Sequence, residues 1–279
     1  MTYEYQERAK AKINLTLHVD SKINDISHAQ YGYHPLNSLV VFSDIADEIL
    51  IVPSKENKIS ITGPFGHMLN ANESNSTIQA LKAINRSPQH VKLVKNLPVS
   101  AGIGGGSANA AAIMRIFNTE SIQAALSLGA DVPVCLFSKT AQMGGIGENL
   151  SFCPGLGQLN AVLVNPRVSL STAKVFKAFD EMFVEDGSVL PTTSEGSLLI
   201  RAINGRNDLE AAAILLEPII GDVLNVINNQ TGCCLARMSG SGPTCYGLFK
   251  DAGASLKAAN AIRSIAPDWW CETTILGDK

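Results

Sequence analysis

From Arg8 to Val19 apolar and polar residues alternate: Ile13, Leu15, Leu17 and Val19 fall on one face, and Lys12, Asn14, Thr16 and His18 on the other. A two-residue period predicts a half-buried strand, with Lys12 and Asn14 side by side on its polar face. Those two can reach a common ligand, or the face can simply be solvated. Residues 20–31 are polar and aperiodic and read as a loop, ending in Tyr31-Gly32-Tyr33-His34-Pro35. Rings around a glycine at a loop end can stack on a planar ligand or tuck onto the core as a turn. Short β-type runs follow at 36–43, 48–52 and 58–62. Ile78, Leu81 and Ile84 then recur at helical spacing and predict a helix over 76–85, before a strand at 91–94.

That strand runs into Lys95-Asn96-Leu97-Pro98-Val99-Ser100-Ala101-Gly102-Ile103-Gly104-Gly105-Gly106-Ser107-Ala108-Asn109, which opens a small-residue helix extending to about Phe117. Glycines without Cβ atoms let consecutive N–H groups converge on an anion, and the helix's unpaired first-turn amides add to the same field. A P-loop would need Lys-Ser/Thr after the last glycine, and the dinucleotide fingerprint would need a glycine where Ser107 stands. Phosphate binding outside those two motifs is the reading favoured here, with a glycine-rich hinge as its competitor. A second helix is expected from a cap at Thr119, ending near Gly129. Asp131 begins a third, with Pro133 in its first turn. On position alone Asp131 reads as a helix cap, with catalysis the competing role.

Gly144-Gly145-Ile146-Gly147 and Pro154-Gly155-Leu156-Gly157 crowd the middle of the chain ahead of the apolar strand 161–164. A boundary near 155 divides the chain into domains 1–155 and 156–279. The second half predicts helices at 172–183, 195–203, 209–216 and 219–229, and strands at 234–238 and 245–249 around the loop Met238-Ser239-Gly240-Ser241-Gly242-Pro243-Thr244. A helix at 254–265 and a strand at 269–276 complete it. The fold class expected is an α/β layer followed by an α+β layer.

With 279 residues, 46% hydrophobic and 17% charged, the chain can bury a sizeable core in two domains. Net charge is −3 with scattered basic residues, which disfavours nucleic acid as a partner. Six cysteines lie at 135, 153, 233, 234, 245 and 271 without metal-ligand spacing. They read as mostly buried thiols in a reducing compartment. The charged N-terminus and the lack of an eighteen-residue apolar run predict neither a secreted nor a membrane-spanning protein.

Three features stand in fixed order: Lys12-Ile13-Asn14-Leu15, the glycine stretch from Pro98 to Asn109, and Met238 to Thr244. Together they resemble the galactokinase, homoserine kinase, mevalonate kinase and phosphomevalonate kinase superfamily over nearly the whole chain. Ala11-Lys12-Ile13-Asn14-Leu15, Gly32-Tyr33-His34-Pro35-Leu36 and Leu128-Gly129-Ala130-Asp131-Val132-Pro133 are most similar to its 4-diphosphocytidyl-2-C-methyl-D-erythritol kinase family, of non-mevalonate isoprenoid biosynthesis.

The resemblance implies a two-domain kinase fold, with ATP and substrate bound in the cleft between the domains. The γ-phosphoryl of ATP would move to the 2-hydroxyl of the erythritol unit, which calls for positioning, charge neutralisation and a base. It assigns Asp131 as that base, Lys12 as the cation that keeps it ionised, and Pro98 through Ala108 to ATP. Mg²⁺ is implied as well, held by phosphate oxygens and water with Ser107 nearby rather than by a protein cage. Tyr33 and His34 match residues that hold the cytosine, Phe176 the ring on its other face, and Asn14 and Thr172 further substrate contacts. By its residues alone Phe176 fits the apolar face of its helix.

The chain departs from the family in its longer approach to Tyr33, and in Ala108 where a second serine is usual. A kinase of homoserine or mevalonate is the nearest alternative, disfavoured by Gly32-Tyr33-His34. A non-catalytic nucleotide-binding module is the other, disfavoured by the presence of both Lys12 and Asp131. The resemblance also implies a cytoplasmic enzyme with small-molecule partners, monomeric or weakly dimeric.

Overall fold

The computed structural model describes residues 5–28, 30–86, 88–182 and 196–278. In chain order its elements are β1 (Tyr5–Asn14), β2 (His18–Val19), β3 (Leu36–Pro53), β4 (Lys58–Thr62), α1 (Ser76–Ala83), β5 (Gln89–Val94), α2 (Gly105–Ile116), α3 (Ile122–Leu128) and α4 (Val132–Phe137). After these come β6 (Ala141–Gly145), β7 (Asn149–Phe152), β8 (Leu159–Asn165), α5 (Thr172–Met182), α6 (Leu198–Asn204), α7 (Glu210–Leu216), α8 (Ile219–Asn228), β9 (Cys233–Met238), β10 (Cys245–Phe249), α9 (Ala252–Ile265) and β11 (Trp270–Leu276). The helix end expected at Phe183 and the helix start expected at Glu195 lie outside the described residues.

Two compact units interleave along the chain. The first comprises Met1–Lys12, Ser43–Val99 and Gly104–Ser138, and the second Ile13–Phe42, Ser100–Ile103 and Lys139–Lys279. In the first, β5 pairs antiparallel with the later half of β3 (Ile49 opposite Leu93) and parallel with β4 (Ile61 opposite Leu93). Period-2 alternation buries Ile49, Ile51, Val91 and Leu93 on one face. α2 packs on both α1 and α4, and it is lined by Ala108, Ala110, Ala111 and Ala112, all buried. Residues that small let helices approach closely, so the alanine run serves packing as well as the opening of the loop.

The second unit holds an antiparallel sheet in the order β11-β8-β10-β9, with Cys245 opposite both Val164 and Met238. One face of this sheet joins Val162, Val164 and Met238 to α5, α7, α8 and α9 in a single core through Val175, Ala213, Val223 and Ile262. The earlier half of β3 pairs with β6, and β6 with β7, so the glycine-rich stretch at 144–147 is the turn of a hairpin. The cysteines divide: Cys135, Cys245 and Cys271 are buried, Cys153 and Cys233 are half-buried, and Cys234 is exposed.

The alternating face of residues 12–18 is not solvated. Lys12, Asn14, Thr16 and His18 are each at most 4% exposed. β1 ends at Asn14, and a bend at Leu15 follows, where Tyr246 Oη and Arg237 both donate to the Leu15 carbonyl at 2.8 Å. That carbonyl has left the strand ladder, and the two donors replace the bonds it lost.

Candidate active site

Within the first unit Lys12 Nζ lies 2.7 Å from Asp131 Oδ1. β1 carries the lysine and the start of α4 the aspartate, 119 residues apart in sequence. Asp131 occupies the position before α4, yet its side chain makes no capping bond. The carboxylate turns instead to the lysine, so the cap reading of Asp131 fails on geometry. The lysine side chain is 4% exposed and the carboxylate 34%, so one partner is fixed in protein while the other opens outward. A buried ammonium needs such a partner, because a lone charge out of water costs several kcal/mol.

Gly104 backs against the same lysine. Its φ is +64°, and a Cβ there would stand 3.1 Å from Lys12 Cβ. The left-handed backbone at Gly104 turns the chain into α2, whose first-turn amides follow directly. Ser107 Oγ lies beside Gly129, 3.9 Å from where its Cβ would be, two residues ahead of Asp131. One unit thus gathers a glycine-opened helix start, a hydroxyl, a fixed cation and a partly exposed carboxylate. Cys135, one turn into α4, is pushed up to about 12 by burial, with Asp131's charge adding to it, and stays a protonated thiol.

The rest of the expected ATP stretch is divided. Pro98 is buried and Val99 half-buried in the first unit, while Ser100, Ala101, Gly102 and Ile103 belong to the second. Gly102, at φ +70°, packs so tightly on the 239–242 loop that a Cβ would meet the carbonyl oxygens of Ser239 and Gly242 at 2.6 Å. Ser239 Oγ donates to the Gly102 carbonyl (3.2 Å) and accepts from Asn14 N (3.1 Å). Asn207 Nδ2 donates to the carbonyls of Met238 and Gly240, 2.8 Å each. The 239–242 loop is therefore pinned from three sides.

Asn14 is 1% exposed. Its Nδ2 donates to Ser38 Oγ at 2.7 Å, and its Oδ1 has no partner among the described residues. A buried acceptor left open is the kind of group a ligand hydroxyl satisfies. Thr172 Oγ1 is hydrogen-bonded to Ser241 Oγ at 2.8 Å. His34 Nδ1 faces the Asp20 carbonyl at 2.8 Å and so carries a proton there, and Nε2 lies 2.9 Å from Asp180 Oδ1. The His34 ring sits 5.3 Å from Phe176 at 31° and 5.9 Å, edge-on, from Phe179. Tyr33 is 58% exposed, a ring held at the surface without a core to fill.

Sequence reading singled out neither Asp180 nor Asp47. Asp47 lies in β3, fully buried, and Lys95 contacts its Oδ2. The signal available was an aspartate inside an apolar β run, where that residue type is depleted.

The pairing of Lys12 with Asp131 beside a glycine-to-helix turn is an arrangement that phosphoryl transfer can use, and similarity to known proteins places the chain among small-molecule kinases. The GHMP kinases N terminal domain matches residues 74–139, and the GHMP kinases C terminal domain residues 196–268. A 4-diphosphocytidyl-2-C-methyl-D-erythritol kinase of Paracoccus denitrificans is 44% identical, over 97% of this chain and 96% of its own. One from Methylorubrum extorquens is 41% identical, over 96% and 98%. A crystal structure of 4-(cytidine 5'-diphospho)-2C-methyl-D-erythritol kinase, 28% identical, superposes with a TM-score of 0.76 over 99% of this chain and all of that one. The chain belongs to the 4-diphosphocytidyl-2-C-methyl-D-erythritol kinase family. Both of these relatives carry that name and not that of a homoserine or mevalonate kinase.

Proposed function

We propose that this protein transfers the γ-phosphoryl of ATP to the 2-hydroxyl of 4-diphosphocytidyl-2-C-methyl-D-erythritol, in non-mevalonate isoprenoid biosynthesis. The observation that carries the reading is the 2.7 Å Lys12–Asp131 pair beside Gly104 and the start of α2. Asp131 takes the proton of the attacking hydroxyl as its oxygen bonds to the γ-phosphorus. The bond from that phosphorus to the β,γ-bridging oxygen breaks, and ADP departs with the electron pair. The Lys12 side chain offsets the charge that gathers on the transferring group.

The phosphates of ATP sit against the amides opening α2, in the stretch Pro98 to Ala108. Tyr33, His34 and Phe176 hold the cytosine, and Asn14 and Thr172 the remaining polar groups of the substrate. The open Asn14 Oδ1 and the exposed Tyr33 ring support that assignment. Among the described residues no three metal-ligating side chains cluster, and Ser107 offers a hydroxyl at the loop's helical end. With phosphate oxygens of ATP and water, the Ser107 hydroxyl would help hold Mg²⁺, which would supply charge neutralisation. Among the described residues no helix is long and apolar enough to cross a membrane. The enzyme acts in the cytoplasm on small molecules, as a monomer or weak homodimer.

The test is a coupled ADP-release assay with Mg²⁺ and ATP, presenting the cytidyl substrate, homoserine, mevalonate and galactose in turn. Turnover with the first alone is expected. Preference for another alcohol leaves the kinase class standing and removes the cytosine assignment.

A further inference from the structure

Behind the glycine stretch lies a buried polar cluster that the phosphoryl-transfer chemistry does not use. Asp47, with no exposed surface, projects from β3 toward the end of β5 and the second turn of α2. Its Oδ1 accepts the backbone N–H groups of Asn96 (2.7 Å) and Leu97 (2.9 Å). Its Oδ2 accepts from Lys95 Nζ, itself on a side chain 3% exposed. Asn109 completes the set. A carboxylate can only accept, so the Asn109 amide nitrogen faces it, donating to Asp47 Oδ2 at 3.0 Å and to the Gly105 carbonyl at 3.3 Å.

One carboxylate therefore grips the stretch on both sides. Asn96 and Leu97 are the last residues before Pro98, and Asn109 belongs to the helix that Gly105 opens. Between those anchors run Pro98 to Gly104, where Ser100, Gly102 and Gly104 all take positive φ. Gly102 is held by the 239–242 loop, and on either side of it the directions of the amides depend on where Asn96, Leu97 and α2 are anchored. The lysine adds a further constraint: Lys95 Nζ stands 3.0 Å from where a Gly105 Cβ would be, so the cluster touches the first residue of α2. A buried ion pair is a poor source of stability compared with apolar packing, which leaves geometry as the better reason for this one.

We infer that Asp47, Lys95 and Asn109 are positioning residues that set the phosphate-binding geometry of the glycine stretch, without themselves touching the nucleotide. The inference rests on the proposal that ATP's phosphates bind there.

The test uses the full-length enzyme, with KM for each substrate, kcat and a thermal melt measured on every variant. Asn109→Ala breaks only the helix-side grip, and alanine suits a helix interior. It is expected to raise KM for ATP about tenfold, the scale of one charge-assisted hydrogen bond. KM for the alcohol substrate should stay within about twofold of wild type, because ATP geometry alone is disturbed. Asp47→Asn combined with Lys95→Met buries no charge and keeps an oxygen for Asn96 and Leu97. It sets an amide nitrogen, a donor, against the Asn109 amide nitrogen, so the helix-side grip is lost and the other is kept. With the helix-side grip lost in both, the neutral pair is expected to raise KM for ATP by about the same tenfold as Asn109→Ala.

A folded Asn109→Ala enzyme with unchanged KM for ATP overturns the inference, as does a shift confined to the melting temperature. A raised KM in the neutral pair but not in Asn109→Ala also overturns it, assigning the effect to the Lys95 charge acting directly. Failure of the wild type to use ATP overturns the functional proposal instead, and is seen before any variant is made.

Discussion

Replacing Asp131 by asparagine changes the proton chemistry with little change in shape. The asparagine oxygen can still accept from Lys12 Nζ, so the 2.7 Å contact survives as a hydrogen bond without its full charge. The native carboxylate makes no bond to the first turn of α4, so no helix cap is lost. The cost in stability is about 1–2 kcal/mol, the weakening of one charge-assisted bond to a buried lysine. A chain of this size should then lose only about 2–8 °C of melting temperature. The catalytic cost is larger: loss of a general base lowers kcat by about a hundred- to ten-thousandfold, or roughly 3–5 kcal/mol of barrier. The assay is steady-state ADP release with ATP and alcohol varied independently, beside a thermal melt. KM for both substrates is expected to move by less than about threefold, since the lost interaction is made in the transition state. Lys12→Met keeps the base and removes the cation, and a fall in kcat of about a hundredfold or more is expected from it too. A folded Asp131→Asn enzyme retaining kcat within about tenfold of wild type, or one impaired only in KM, would refute the assignment of Asp131 as base.

Gly102→Ala must place a Cβ 2.6 Å from two backbone carbonyls at positive φ, so chemical denaturation should show a loss of about 2 kcal/mol or more. A loss under about 0.5 kcal/mol would contradict that packing. Tyr33→Ala removes a ring that is 58% exposed. It should leave the melting temperature unchanged and raise KM for the cytidyl substrate about tenfold, the scale of one stacked base, with KM for ATP unaffected. His18 is held below its ordinary pKa by burial first and by Arg206 next. The unfolded chain therefore takes up a proton near pH 6.5 that the folded one refuses, and stability is lost as pH falls below that value. Melting temperature should drop between about pH 7 and 5.5 in the wild type and drop less in His18→Gln. Equal slopes would remove His18 as the cause.

Much of the fold was legible because local pattern and tertiary environment agree. The Ile78-Leu81 spacing lies on α1, the alanine run on α2, and the apolar runs at 161–164 and 245–249 fall on the buried strands β8 and β10. Where the two disagree, an internal partner outweighs the local signal. The runs at 36–43 and 48–52 are a single strand, β3, because Asp47 between them is satisfied inside the protein by Asn96, Leu97 and Lys95. α3 is capped by Ser121, whose side chain accepts from Ala124 N, and not by Thr119, whose hydroxyl donates to the Phe117 carbonyl. The β6–β7 hairpin was hidden by its glycines, which read as breakers and serve as its turn.

The family resemblance pointed to Lys12 and Asp131 where position alone read a helix cap, and the fold shows that the aspartate forgoes its cap for the lysine. The polar face of residues 12–18 looked solvated because alternation reports a second face and not what covers it. Thr16 and Asn14 are covered by Ser38 and Leu39 of β3, which lie more than twenty residues away in sequence. Asp180 left no pattern, since a single polar residue on a helix reads as surface, and Asn109 stood inside the glycine stretch without any sign that it turns to a buried carboxylate.

The most direct measurement is ³¹P NMR of the product formed from ATP, Mg²⁺ and 4-diphosphocytidyl-2-C-methyl-D-erythritol by the wild-type enzyme. One new phosphomonoester resonance, accompanying ADP and an intact cytidyl diphosphate, with the phosphate coupled to the tertiary carbon C2, is the expected result. A phosphate on a different hydroxyl, or ATP consumed to ADP and free phosphate with the alcohol untouched, would contradict it.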